Sequence, residues 1–113
     1  MLLIVDGNQI VYPNIEGMMT AFREMGGVVA MVMVQGVEPI PEAILKTRVI
    51  HHNVDAVIVI VEDSLENRCK LYRDFIGQVN VGPEDTTIIS NSGQDLAVAI
   101  LIGCEFTFAM DYA

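Results

Sequence analysis

Short apolar runs without charge recur along the chain at residues 2–5, 28–34 and 57–61, an uncharged stretch around Ile88 and Ile89 reads as a fourth strand over 86–90, and a β-branched and aromatic run follows at 105–110. Runs of this kind predict strands buried on both faces, the third of them extending over 54–61. Between them, apolar residues recur at helical spacing instead. Ile15, Met18, Met19, Phe22 and Met25 follow Asn14, which can cap a helix, and stop at Gly26 and Gly27. Pro39 and Pro41 break the chain again, and Pro41 suits the first turn of a helix running to His51 and His52, whose rings would cap its end. Leu65, Cys69, Tyr72 and Ile76 share one face of a further helix, opened by Ser64 or Asp63. Ser92, with Asp95 three residues on, resembles a capping box ahead of Leu96, Ala99 and Ile100, and Gly103 stops that helix.

Strands thus alternate with helices throughout. That pattern predicts a single α/β domain over residues 1–113, a three-layer α/β/α arrangement around a mostly parallel five-stranded sheet. At this length one domain can bury a sizeable core, and the 52% hydrophobic content supplies it.

Charge narrows the partners. Fifteen acidic residues against six basic ones give a net charge of −9, a poor footprint for a duplex, where Lys and Arg neutralise phosphates. Nucleic acid remains open only through a local basic strip, a bound metal or a partner protein. With 19% charged residues and seven Met, an apolar surface patch is expected, and with it a homo-oligomer or a protein partner. No apolar run is long enough to span a membrane, and Met1-Leu2-Leu3 carries no basic leader, so a cytoplasmic protein is expected. Cys69 and Cys104 stand at no metal-ligand spacing and read as reduced thiols.

The chemistry gathers where the predicted strands end. Asp6 follows the first run, Glu62 and Asp63 the third, and Ser90-Asn91-Ser92 the fourth, with Asp95 just inside the next helix. In a parallel sheet these positions leave from one edge, where open α/β folds bind ligands. Carboxylates at a common edge repel one another and persist around a cation, so Asp6, Glu62, Asp63 and Asp95 are the expected ligands of Mg²⁺ or Mn²⁺. Asp6 and Asp63 are the expected catalytic pair. Arg68, Lys70 and Arg73 concentrate half of the basic residues just after Glu62-Asp63 and would bind substrate phosphates, with Asn8 near Asp6. Simpler roles compete: Asp63 and Asp95 suit helix N-termini by charge alone, and Glu66 with Lys70 makes an i,i+4 pair.

These segments together resemble the 5′-nuclease domains of phages and bacteria in the PIN-like superfamily. Leu2 to Tyr12 is similar to their opening, an apolar strand followed by Asp6-Gly7-Asn8, apolar residues and Tyr. A second signature, an acid-terminated strand followed by Arg-x-x-Leu-Tyr-x-x-aromatic, is similar to Glu62-Asp63 with Arg68, Leu71, Tyr72 and Phe75. A third resembles Ser90 through Gly93, Asp95 and Leu96. The resemblance implies metal-dependent hydrolysis of phosphodiester bonds in DNA or RNA, with Asp6, Asp63 and Asp95 as metal ligands. The chain departs from the pattern between the second and third segments, where only Glu84 and Asp85 stand for an acidic cluster. Ile76 and Gln78 also replace basic residues.

Two other readings stand beside this one. A non-catalytic module of nuclease descent, used for assembly, suits the acidic charge and the incomplete acids. A receiver-like signalling domain shares the alternation, but it would need two acids after the first strand and a Lys after the fifth, where the chain has Gly7 and Asp111.

Overall fold

The computed structural model describes residues 1–7, 13–35 and 54–112. Asn8, Gln9, Tyr12, Pro39, Pro41, His51 and His52, with the helix expected after Pro41, lie outside the described residues.

Five parallel strands form one sheet in the order β3-β2-β1-β4-β5. They are β1 (Leu2–Asp6), β2 (Val28–Val34), β3 (Ala56–Ile60), β4 (Thr86–Ser90) and β5 (Glu105–Phe108). The three described helices are α1 (Pro13–Glu24), α2 (Leu65–Gln78) and α3 (Gly93–Ile102). From β1 the chain steps outward through β2 to β3, then crosses back over the sheet to β4 on the other side of β1. The predicted fold class is the one observed, a parallel α/β sheet with helices on both faces.

Boundaries shift for local reasons. The helix expected after Asn14 begins at Pro13, whose missing N–H and fixed φ suit the first helical position. The third strand is shorter than its apolar run, because Val61 passes beyond the last pair with β2, Val34↔Ile60. The last strand stops at Phe108, where residues 109–112 turn into a 3₁₀ helix. Gly103 ends α3 at φ 82°, a left-handed conformation that costs glycine little, and its N–H donates to the Ala99 carbonyl at 2.9 Å.

Two cores lie on opposite faces, sorted by strand alternation. Leu2 and Ile4 of β1 join Ile88, Tyr72, Ile76, Val98 and Ala99 beneath α2 and α3. Leu3 and Val5 join Val29, Ile89, Ile15 and Met19 beneath α1. All four apolar residues of β1 are fully buried, which explains the absence of polar positions in that run. Each such side chain contributes roughly 1.5–3 kcal/mol through burial. No described helix is long and apolar enough to cross a membrane.

Candidate site at the carboxyl ends of the strands

β1 is the topological switch point. The connection leaving it leads toward β2, whereas the one leaving its neighbour β4 leads toward β5, so the two diverge at the carboxyl ends, where open sheets of this kind bind ligands. Asp6 and Ser90 end these two strands. Ile4 and Ile88 pair across β1 and β4 and face the α2/α3 core, so Asp6 and Ser90, each two residues further on, point to the same side. Ser90 is fully buried, and its Oγ accepts the Ser92 N–H at 3.0 Å. The glycine after Asp6 has a steric reason. A Cβ on Gly7 would lie 2.9 Å from the Val32 carbonyl oxygen and would collide with the Met33 sulfur, so only glycine lets β1 leave the sheet against the end of β2.

Asp63 lies two strands away from β1. The sequence pattern leaves open whether the strands ending in Asp6 and Asp63 are side by side; β2 lies between them. What the fold brings together is Asp63 and Asp95, and the link is Arg68. Its Nε and Nη2 donate to the two carboxylate oxygens of Asp63 at 2.6 and 3.1 Å, a bidentate pair. Its Nη1 donates to Asp95 Oδ1 at 2.8 Å. The Tyr72 hydroxyl donates to the same oxygen at 2.8 Å. Arg68 and Asp95 are 5% and 1% exposed, so this network is interior structure, whereas Asp63 is exposed.

Local sequence explains how the network forms. Arg68, Tyr72 and Ile76 follow one another at i,i+4 spacing along the buried stripe of α2. Leu65, expected on that stripe, is 39% exposed. Ser64 is the N-cap of α2, its side chain accepting the Asn67 N–H at 3.1 Å, which leaves Asp63 free to turn toward Arg68. Ser92 likewise caps α3, accepting from the Gln94 and Asp95 amides. Asp95 therefore does not reach back as a capping-box acid would; its carboxylate turns inward.

Electrostatics follow the contacts. The Arg68 hydrogen bonds hold the Asp63 carboxyl below its ordinary range, against a smaller opposing effect of burial. Burial lowers the Arg68 pKa, but Asp63 and Asp95 outweigh it and raise the balance, so the guanidinium stays charged. Burial, and then the Asp95 charge, raise the Tyr72 phenol well above its usual value. Two carboxylates against one guanidinium leave the network with one net negative charge.

The other expected site residues scatter. Glu62 is exposed at the sheet edge, lining a hollow of about 310 Å³ with Asn67 and Lys70. Lys70 and Arg73 face solvent beside Glu66 and Asp74, on the side of α2 away from Arg68. Among the described residues no ion pair joins Glu66 to Lys70, and no three His, Cys, Asp or Glu side chains gather closely enough to hold a metal. Tyr72 is the member of the network to which the sequence pattern assigns no role in the site, only a place on the helix face and in the arginine-containing segment. Its spacing from Arg68 was the available signal. Both cysteines are free, and burial pushes the Cys104 thiol up to about 11.

No family model matches the sequence, and no curated protein matches it. Among solved structures, the chain is similar to a HAD-superfamily hydrolase, subfamily IA, variant 1, from Geobacter sulfurreducens. The two share 12% identity at a TM-score of 0.57, over 93% of this chain and 86% of that one. The resemblance to PIN-like 5′-nucleases is thereby corrected, since no nuclease model supports it and the structural likeness runs to a different superfamily. The motifs behind it also have local explanations. Gly7 clears β2, Ser92 caps α3, and the spacing from Asp63 to Arg68 closes an ion pair. At this identity the likeness establishes the fold, a Rossmann-like parallel sheet between helical layers.

Proposed function

We propose that the domain is a phosphate-ester hydrolase whose reactive group is Asp6, at the switch point between β1 and β4. The observation that carries this reading is the placement of Asp6 and Ser90 on neighbouring strands at the switch point, on the side where Arg68 fixes the ends of β3 and α3. The hydrolase named among similar folds adds support of a general kind.

The described residues do not form a cage for two ions, since Asp63 and Asp95 are engaged by Arg68. One Mg²⁺ or Mn²⁺ fits better, because Mg²⁺ is commonly held by one or two carboxylates together with substrate phosphates. Asp6 would hold it, and the ion would supply Lewis acidity at a phosphoryl oxygen. The local charge favours such an arrangement: the net negative network and Asp6 together would repel a bare phosphate. Asp63 acts in this proposal as a positioning residue, fixing Arg68 and through it the start of α3. Lys70 and Arg73, exposed on the outer face of α2, lie away from this site and take no part in it.

The test is turnover with p-nitrophenyl phosphate, its bis-ester, and labelled single-stranded DNA and RNA, each with Mg²⁺ or Mn²⁺. Hydrolysis of at least one substrate, lowered about a hundredfold or more in Asp6→Asn, is the expected result. Absence of hydrolysis across the set, or an unchanged rate in the variant, would remove this reading.

A second reading, a non-catalytic module that assembles with itself, is favoured by the outward face of α3. Gly93, Ala97, Ile100 and Leu101 share that face, none is charged, and Ile100 and Leu101 are 74% and 57% exposed. In a chain of net charge −9, a two-fold contact there sets two uncharged faces together. Light scattering that gives a dimer, reverting to monomer in Ile100→Glu, would support it; a wild-type monomer would exclude it.

A further inference from the structure

β5 is the last strand of the sheet, and among the described residues no strand pairs with its outer side. Such an edge presents a row of backbone N–H and C=O groups that another strand can satisfy. The side chains beside it are apolar. Phe106 packs against the core under α2 and α3, so Phe108, two residues on, points to the same side of the sheet. The two rings meet edge to face with centroids 5.0 Å apart, and Phe108 is 41% exposed. α3, which joins β4 to β5, lies on this side too, with Ile100 and Leu101 exposed.

Charge singles this edge out. Asp95 is the only charged residue from Gly93 to Cys104, and it is buried. β3, at the other edge, runs between Asp55 and Glu62-Asp63, beside the exposed Glu66, Lys70, Arg73 and Asp74 of α2. Of the two edges, the one at β5 is where two copies of a chain of net charge −9 oppose each other least. The undescribed internal residues are tethered elsewhere. Residues 36–53 join β2 to β3, the two strands farthest from β5, and residues 8–12 join β1 to α1. The outer side of β5 is three strand spacings from β1, about 14 Å, so that short link cannot run out to it and back.

The edge also matches itself. A two-fold axis perpendicular to a continuous sheet keeps each face on its own side, so β5 set antiparallel to its copy pairs even positions with even and odd with odd. With the axis at Thr107, Phe106 of each copy lies opposite Phe108 of the other, an aromatic cross-strand pair on the α3 side. The two Glu105 carboxylates then sit at opposite ends of the contact.

We propose that two copies of this chain join through β5, antiparallel about Thr107, so that the five strands of each form one continuous sheet. The contact rests on the self-assembling reading for the existence of a dimer and adds the strand that joins the copies.

Light scattering of the whole chain gives a dimer. Phe108→Glu, which sets a carboxylate against Phe106 of the other copy, weakens it by roughly tenfold or more. Thr107→Cys in a Cys104→Ser background cross-links between copies through a short bis-maleimide, because directly opposed Cβ atoms lie about 4.5–5.5 Å apart. Arg73→Cys on α2, in the same background, does not. Circular dichroism and thermal melting establish that each variant is folded. A dimer that Ile100→Glu dissociates, but that neither cross-links at position 107 nor responds to Phe108→Glu, would overturn the β5 pairing and leave the contact on α3 alone. A wild-type monomer would overturn both.

Discussion

Arg68 and Asp95 lie 27 positions apart in the chain and meet at 2.8 Å, Nη1 to Oδ1, with both side chains almost fully buried. The pair joins the first turn of α2 to the first turn of α3, and Asp63 extends it to the end of β3. A single guanidinium thus ties together two carboxylates that a metal ion was expected to hold.

Removing the arginine leaves Asp95 buried and without its counter-charge. Arg68→Met should destabilise the fold by about 3–5 kcal/mol, measured as a lowered midpoint in urea. The double variant Arg68→Met/Asp95→Leu should recover most of the loss, since replacing both partners with apolar groups removes the stranded charge. Arg68→Lys should fall between, because an ammonium cannot reproduce the bidentate pair with Asp63.

Tyr72 contributes a second donor to Asp95, at 2.8 Å. Tyr72→Phe should cost about 1.5–3 kcal/mol, the range for hydrogen bonds to charged groups. Because the folded state raises the Tyr72 pKa, this phenol ionises first in the unfolded chain. Its share of stability is complete below about pH 10 and is lost as pH rises further. Unfolding curves above that pH should therefore decline less steeply in Tyr72→Phe than in the wild type.

At low pH the sign reverses. Asp63 has a lowered folded pKa, owing first to its hydrogen bonds from Arg68. Its contribution is present above the unfolded value near about 3.9 and disappears as pH falls toward the folded one. Urea midpoints measured from mildly acidic to strongly acidic conditions should drop more for the wild type than for Asp63→Asn. The difference should be small, because the Asp63 side chain is 37% exposed and solvent screens the pair.

Glycine substitutions separate clearance from freedom. Gly7→Ala should lower stability by about 1–3 kcal/mol, as overpacking does, because its Cβ meets the Val32 carbonyl and Met33. Gly17→Ala, on α1 with open space around it, should raise stability by about 0.5–1 kcal/mol. Thermal melts of the two variants side by side check both signs.

These sites show which features the sequence carried. β1 was legible because a strand buried on both faces must be apolar at every position, as Leu2 to Val5 are. β3 is apolar too, yet the expectation of burial on both its faces fails, since Val57 and Val59 are half exposed. Sheet order was not legible, since several doubly wound folds produce the same alternation of strands and helices. Ser64 and Ser92 declared themselves as caps through local spacing alone. Asp95 looked like part of a capping box because the pattern is local, whereas its real partners, Arg68 and Tyr72, arrive from another helix. Arg68 read as a surface cation for the same reason. Its i,i+4 relation to Tyr72 was visible, but an arginine is buried only when a carboxylate meets it, and no local pattern reports that meeting.

In the proposed site a single divalent ion sits at Asp6, away from the acids that Arg68 engages. Mn²⁺ titrated into the ¹⁵N-labelled protein tests this directly, because paramagnetic broadening reports which amides lie near the ion. The signals of Gly7, Ser90, Asn91 and Ser92 should broaden first, and Asp6→Asn should abolish the effect. Broadening centred on Glu84, Asp85 and Glu105, or spread evenly over the acidic surface, would contradict it.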